Sequence, residues 1–233
     1  MASRSPLPWD ESLLDRYEWL GEETFESRRT DRHLRWLDLT VSVTALVVTS
    51  PLSLGAAALI LVTSGRPVLY RGRRIGRAGH DFTMLKFRTL KADAQSRLEP
   101  YSGGELSRRT REEQTSVGRV LRAVHLDEVP QFVNVLRGQM SVVGPRPIRP
   151  AFFAELCEEI PQYWQRLVVP PGMTGLAQLR MTRDMSWAEK LSHDLEYIAD
   201  RSVGLYLSIV AKTVWAVITR HQVTGRDTDG ASR

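Results

Sequence analysis

Cysteine is nearly absent. Cys157 stands alone in 233 residues, so no intrachain disulfide can form and a disulfide-built secreted module is excluded. A metal site of the several-cysteine kind is excluded with it. Lysine is almost as scarce: of 32 basic residues, 28 are arginine and four are lysine. Arginine's planar fork binds phosphate and carboxylate bidentately, so the skew favours anion recognition over diffuse solubilisation. A high-GC genome would produce the same bias. His80, His125, His193 and His221 show no metal-ligand spacing, and no internal repeat is evident. Hydrophobic residues are not lacking. At 42% hydrophobic and 25% charged, the chain is not disordered throughout. Its length suits one domain with appendages.

Charge is missing from one long stretch. Between Asp38 and Arg66 no residue is ionisable, a run of 27 residues from Leu39 to Gly65. As an unbroken helix it would reach roughly 40 Å, beyond the ~30 Å hydrocarbon core of a bilayer. It starts too late for a cleaved signal peptide. Pro51 sits near its middle, after Ser50 and before Gly55; proline removes a donor and breaks or kinks a helix. The Ser50 hydroxyl is placed to satisfy a freed carbonyl. Arg28, Arg29, Arg32 and Arg35 precede the run, and Arg66, Arg71, Arg73, Arg74 and Arg77 follow it. The positive-inside bias wants both groups on the cytoplasmic face. A helix that enters, bends at Ser50–Pro51 and returns satisfies both facts. A single span and a buried core helix are the alternatives.

Around this run the chain divides coarsely. Residues 1–32 read as a polar extension and 221–233 as a polar tail. Val68–Tyr70 and Phe82–Phe87 are β-like runs about a turn at Arg77–His80. The stretch Lys91–Thr115 is polar, with helix and loop signals, and Ser116–Arg122 is a short helical turn. Asp127 is placed as the N-cap of a helix that runs to Arg137 and stops at Gly138. Gly144–Pro147 and Pro170–Gly175 read as loops, and Ala151–Ile160 as helix. Near the end, Val203, Tyr206, Leu207, Val210, Val214, Val217 and Ile218 form an apolar stripe. It packs on the core or lies in a membrane interface with Tyr206 and Trp215 at headgroup level.

Two constellations carry chemistry. Asp127 and Glu128 are adjacent carboxylates at a helix start, where acids serve as ordinary caps. They also suit a nucleophile beside a metal-binding partner, because a carboxylate can attack phosphorus when cations draw charge off the phosphate oxygens. Lys86, Arg88, Arg119, Arg122, Arg137, Arg146 and Arg149 are the basic counterpart. Arg146 is held between Pro145 and Pro147, which preorganises it for a phosphate.

These residues resemble the bacterial sugar transferase family, the monotopic phosphoglycosyl transferases that act on polyprenyl phosphate. The matching stretches include RWLDL (Arg35–Leu39), SPLSLGAAALILVTSGRPVLYR to Arg71, and RIGRAGHDFTMLKFRTL (Arg74–Leu90). GRVLRAVHLDEVPQFVNVLRGQMSVVGPRPI (Gly118–Ile148), VVPPGMTGLAQL (Val168–Leu179) and DLEYI (Asp194–Ile198) complete them. The resemblance implies transfer of a phospho-sugar from a nucleotide diphosphate sugar, with uridine the expected base, to polyprenyl (undecaprenyl) phosphate. That is the first membrane step of polysaccharide or glycoconjugate synthesis. It implies Asp127 as nucleophile, Glu128 as metal-binding partner and Mg²⁺ as cofactor. It assigns Lys86, Arg88, Arg119 and Arg146 to substrate phosphates, Pro145 and Pro147 to loop support, and Ser50–Pro51 to the membrane break. The expected fold is α/β and mostly helical. It is monotopic, with one re-entrant membrane helix over 33–66, a catalytic domain over 67–220 and interfacial amphipathic helices. The expected location is the inner membrane, facing the cytoplasm.

The chain departs from the family pattern at His125, Arg73, Ala177, Met181–Arg183 and Tyr206. These positions bear on the donor sugar and the acceptor groove. Downstream glycosyltransferases and a second copy of the chain are further candidate partners; nucleic acid is not one. The competing reading is a membrane-anchored, arginine-rich adaptor without catalysis.

Overall fold

The computed structural model describes residues 29–98, 103–182 and 185–219. Most of the N-terminal extension and the whole polar tail lie outside them. The protein is mostly helical, with two small two-stranded sheets among the described residues.

The uncharged run lies within one helix, α1 (Arg29–Ser64), which starts before the expected boundary at 33 and continues through Pro51. At 36 residues its contour is about 54 Å. Pro51 cannot donate to the carbonyl four residues back, that of Val47. The Ser50 hydroxyl donates to that same carbonyl at 2.8 Å, so no backbone acceptor is orphaned and the helix persists. Thr49 and Thr63 bond back one turn in the same way, to Ala45 and Leu59.

Both arms of α1 rest on the same body while the middle is bare. Leu34, Asp38 and Ser42 are buried at one end, Ala56 and Ile60 at the other. Between them Val47, Val48, Leu52 and Leu54 are exposed, Leu54 at 73%. The flanking charges are used locally. Arg35 donates to the carbonyls of Val135 and Leu136 at 2.6 and 2.8 Å, and Arg201 pairs with Asp31 at 2.7 Å.

After α1 comes an antiparallel hairpin. β1 (Leu69–Ile75) pairs with β2 (Asp81–Phe87), from Leu69 opposite Phe87 to Ile75 opposite Asp81. Period-2 alternation places Phe82 and Met84 in the core and leaves Asp81 and Thr83 exposed. Next are α2 (Ala94–Leu98), α3 (Gly103–Glu112), α4 (Ser116–Ala123) and α5 (Gln131–Leu136). The main core joins Leu34 of α1, Phe82, Met84, Val135, Val142, Tyr206 and Ile209. A second cluster joins Ala56 and Ile60 to Phe87 and Leu121.

Two expectations need correction. Pro170–Gly175 is not all loop: Gly172–Thr174 forms β4, parallel to β3 (Ser141–Val143). Those three residues lack a strand-like pattern, and their partner lies thirty residues earlier. The terminal stripe is not one face either. In α9 (Val203–Thr219) Tyr206 and Ile209 are fully buried, while Val203, Leu207, Val214, Trp215, Val217 and Ile218 are exposed. The helix is apolar on both sides, so periodicity alone could not separate its core face from its outer face.

Candidate active site

The acidic pair sits on a tight turn rather than at the start of a continuous helix. Thr115 caps α4 by accepting from the Gly118 amide at 2.9 Å. At Gly118 the helix passes so close to the backbone of Thr89 that a Cβ would lie 2.1 Å from its carbonyl oxygen. After α4 the chain turns at His125, whose φ of +56° is left-handed. Leu126–Glu128 then form one 3₁₀ turn, and α5 begins only after Pro130. Asp127 is at neither N-cap: those of the turn and of α5 are His125 and Pro130, and among the described residues the Asp127 carboxylate accepts no hydrogen bond. It is therefore available, which the expected N-cap role would have prevented.

Asp127 is 5% exposed, and among the described residues it accepts no hydrogen bond. Burial pushes its pKa up, and the neighbouring Glu128 charge pushes the same way against Lys86, Arg122 and His125. Glu128 is opposite. Burial opposes its ionisation, but Lys86, Arg146 and His125 outweigh burial and hold it below the usual carboxylate range. Lys86 Nζ lies 2.5 Å from Glu128 Oε1. Neighbouring acids thus have their affinities for protons pulled apart, as acids in different roles require.

Both line a cleft of about 1860 Å³ together with Lys86, Arg88, Arg122 and Arg146. The loop bearing Arg146 is fixed from several sides. Gly144 donates to Thr174 O, and Gly172 to Pro145 O, both at 2.8 Å. The strands approach so closely there that a Cβ on Gly172 would lie 2.0 Å from Gly144 N. Pro145 is buried and Pro147 half-buried at the cleft wall. Behind the loop Arg166 donates to Arg146 O at 2.9 Å and pairs with Asp194 at 2.8 Å, both side chains about 5% exposed or less. Asp194 is in α8 (Trp187–Asp200).

No group of three His, Cys, Asp or Glu side chains converges among the described residues. Two adjacent carboxylates facing a cleft nonetheless fit Mg²⁺, which takes one or two carboxylates and completes its shell with water and substrate phosphates.

A family model described as bacterial sugar transferase matches residues 30–220. The chain belongs to that family. As a bacterial sugar transferase it is 39% identical over 193 residues to the exopolysaccharide production protein ExoY of Rhizobium meliloti, covering 78% of this chain and 84% of ExoY. It is 36% identical over 196 residues to the UDP-glucose:undecaprenyl-phosphate glucose-1-phosphate transferase of Caulobacter vibrioides, covering 81% and 71%. It is also 36% identical over 188 residues to the UDP-N-acetylgalactosamine-undecaprenyl-phosphate N-acetylgalactosaminephosphotransferase of Aeromonas hydrophila. That match covers 79% of this chain and only 43% of the relative.

In this sugar transferase the expected site residues divide. Asp127, Glu128, Lys86 and Arg146 come together. Arg88 lines the cleft, but its guanidinium donates to the backbone carbonyls of Ser64, Gly65 and Arg66 at 2.5, 2.8 and 3.0 Å. It closes the C-terminal end of α1, whose terminal carbonyls have no partner within the helix. Arg119 is exposed on α4 and is not part of the cleft lining. Ser50 and Pro51 lie in the exposed middle of α1. Sequence reasoning missed Arg74, Arg166 and Asp194. Asp194 carried a signal as the first residue of DLEYI; Arg166 carried none among 28 arginines.

Proposed function

We propose that this protein transfers a sugar 1-phosphate from a nucleotide diphosphate sugar, with uridine the expected base, to polyprenyl phosphate through a covalent aspartyl intermediate. The observation that carries the reading is Asp127: a buried carboxylate with no hydrogen bond among the described residues, beside a second carboxylate, in a cleft lined with arginine. Burial without hydrogen bonding leaves its oxygen poorly stabilised as an anion and hence reactive. The names of the relatives, which include undecaprenyl-phosphate sugar phosphotransferases, support the reaction class.

Asp127 attacks the sugar-bearing phosphorus. The bond from that phosphorus to the bridging oxygen breaks, and nucleoside monophosphate leaves with the oxygen and its electron pair. Polyprenyl phosphate then attacks the acyl phosphate, and the Asp127 carboxylate is regenerated. Arg146 lines the same cleft, acts electrostatically on Glu128, and offers a fork to the phosphate oxygens. Lys86 holds Glu128 ionised and aimed into the cleft. Asp127 and Glu128 would hold Mg²⁺, which when bound draws negative charge off the phosphate oxygens.

The chemistry belongs at the cytoplasmic face of the inner membrane, with α1 entering and leaving on one side. Support comes from both arms packing on one body, from the bare apolar middle around Pro51, and from arginines at both ends. The exposed apolar side of α9 suits the membrane interface.

The test is purified protein with Mg²⁺, polyprenyl phosphate and a panel of nucleotide sugars. Nucleoside monophosphate release and a phospho-sugar adduct on Asp127 are expected with at least one sugar. An adaptor releases none. Topology is checked with single cysteines at His33 and His80 in a Cys157→Ser background. Both should react only from the cytoplasmic side, and labelling of either from outside means that α1 spans.

A further inference from the structure

We propose that Arg74 and Arg149, together with Arg146, form the seat for the phosphate of the departing nucleoside monophosphate, at the end of the cleft away from α1. The inference rests on the reaction proposed above but adds Arg74 and Arg149, which that reaction did not use.

The two arginines are brought together by the backbone. Ile75 N donates to Ile148 O at 3.1 Å, which pins the end of β1 against the segment before α6 (Pro150–Glu159). Arg74 precedes one partner of this bond and Arg149 follows the other. Both line the cleft that holds Asp127, as does Arg146. Arg146 also links the two groups, because it acts electrostatically on Glu128 on one side and on Arg74 on the other. A diphosphate has the same layout, with one phosphorus at the nucleophile and the next one bond further on.

The seat is built rather than incidental. Arg74 is half-buried, hydrogen-bonded to Tyr70, and within electrostatic reach of the like charges of Arg149 and Arg146. Burial and then the two like charges hold its guanidinium below the ordinary value, with only Tyr70 acting the other way. Desolvating clustered cations is costly, and an anion bound among them offsets that cost. Tyr70 reaches Arg74 by lying along the strand over Gly72, where a Cβ would sit 2.4 Å from its hydroxyl oxygen. The first turn of α6 adds to the same wall: Pro150, Ala151 and Phe152 line the cleft, and Arg149 provides no side-chain cap to the helix.

Position favours the nucleotide over the lipid as the source of the phosphate. Arg74 is five residues along β1 from Leu69, roughly 17 Å of extended strand away from the end of α1. A polyprenyl headgroup would have to rise that far from the membrane. A soluble nucleotide reaches the seat directly.

The experiment uses the full chain in nanodiscs. Calorimetry reads the affinity for uridine monophosphate, and steady-state kinetics read KM for the nucleotide sugar and for polyprenyl phosphate. Arg149→Gln and Arg74→Gln should each weaken monophosphate binding and raise donor KM at least tenfold, with acceptor KM moving less than twofold. Arg149→Lys should recover part of the loss and guards against misfolding as the cause. A rise in acceptor KM instead assigns the arginines to the lipid phosphate and overturns the proposal. Unchanged monophosphate binding in folded variants overturns it too, while wild-type transfer leaves the reaction standing. A wild type that binds monophosphate and loses it in the variants but transfers no sugar keeps the seat and removes the reaction.

Discussion

Asp38 and Asp127 are buried to the same degree, 4% and 5% exposed, yet the protein treats them oppositely. Asp38, on α1, accepts three hydrogen bonds on one oxygen: from Ser141 Oγ at 2.9 Å, Val142 N at 2.8 Å and Tyr206 Oη at 2.9 Å. It ties α1, β3 and α9 into one unit. Asp127 accepts none among the described residues and faces a like charge instead. A buried carboxylate whose donors are in place serves as a latch between elements, and one without donors keeps its oxygens free to meet a ligand. Burial alone therefore does not separate a structural acid such as Asp38 from an acid left open to a cleft; the count of donors does. The two acids are also connected. Asp38 holds the start of β3, and β3 leads into Gly144 and Arg146.

The comparison breaks most visibly at Asp127. Asp127→Asn should lower turnover by at least about a thousandfold and abolish the adduct. Its melting temperature should stay level or rise at neutral pH, because folding no longer buries a charge beside Glu128. Activity with a covalent adduct in that variant would remove the nucleophile assignment.

Asp38→Ala should do the reverse. It strands three buried donors and should cost about 3–5 kcal/mol of stability, read as a lower denaturant midpoint. A variant as stable as the wild type would show that the saturated site is not a latch.

Arg146→Lys sharpens the link between the two acids. It keeps the charge and loses the fork, so kcat/KM should fall about tenfold, or about 1.4 kcal/mol. Full efficiency would show that charge alone suffices there.

The smallest effect is expected from Lys86→Met, read as a pH profile. Attack needs Asp127 ionised, and its pKa lies above the ordinary carboxylate value, so kcat/KM falls as pH drops through that raised pKa. Lys86 favours the ionised form, and its removal should move the acid limb to higher pH. An unmoved limb would mean that Asp127 does not set it.

Much of this was legible in the chain itself. The absence of charge from 39 to 65 marked one long apolar helix, which the structure shows continuing through Pro51. The alternating run Asp81–Phe87 marked a strand, and Asp127, Glu128 and Arg146, singled out in the chain, line one cleft. These signals are local: period, punctuation and adjacency survive in a linear string. What each arginine meets was not legible, because a basic residue in a motif looks the same beside three backbone carbonyls, as Arg88 stands, or on an exposed helix face, as Arg119 does. Sequence determined the composition of the cleft, the length of α1 and the identity of the acidic pair. Only the tertiary structure decided that Asp127 stays unbonded while Asp38 is saturated, that Arg166 and Asp194 support the Arg146 loop, and that Arg74 meets Arg149. The physical reason is that each of these depends on groups far apart in the chain, up to 168 positions for Asp38 and Tyr206. Only folding brings such groups within bonding distance.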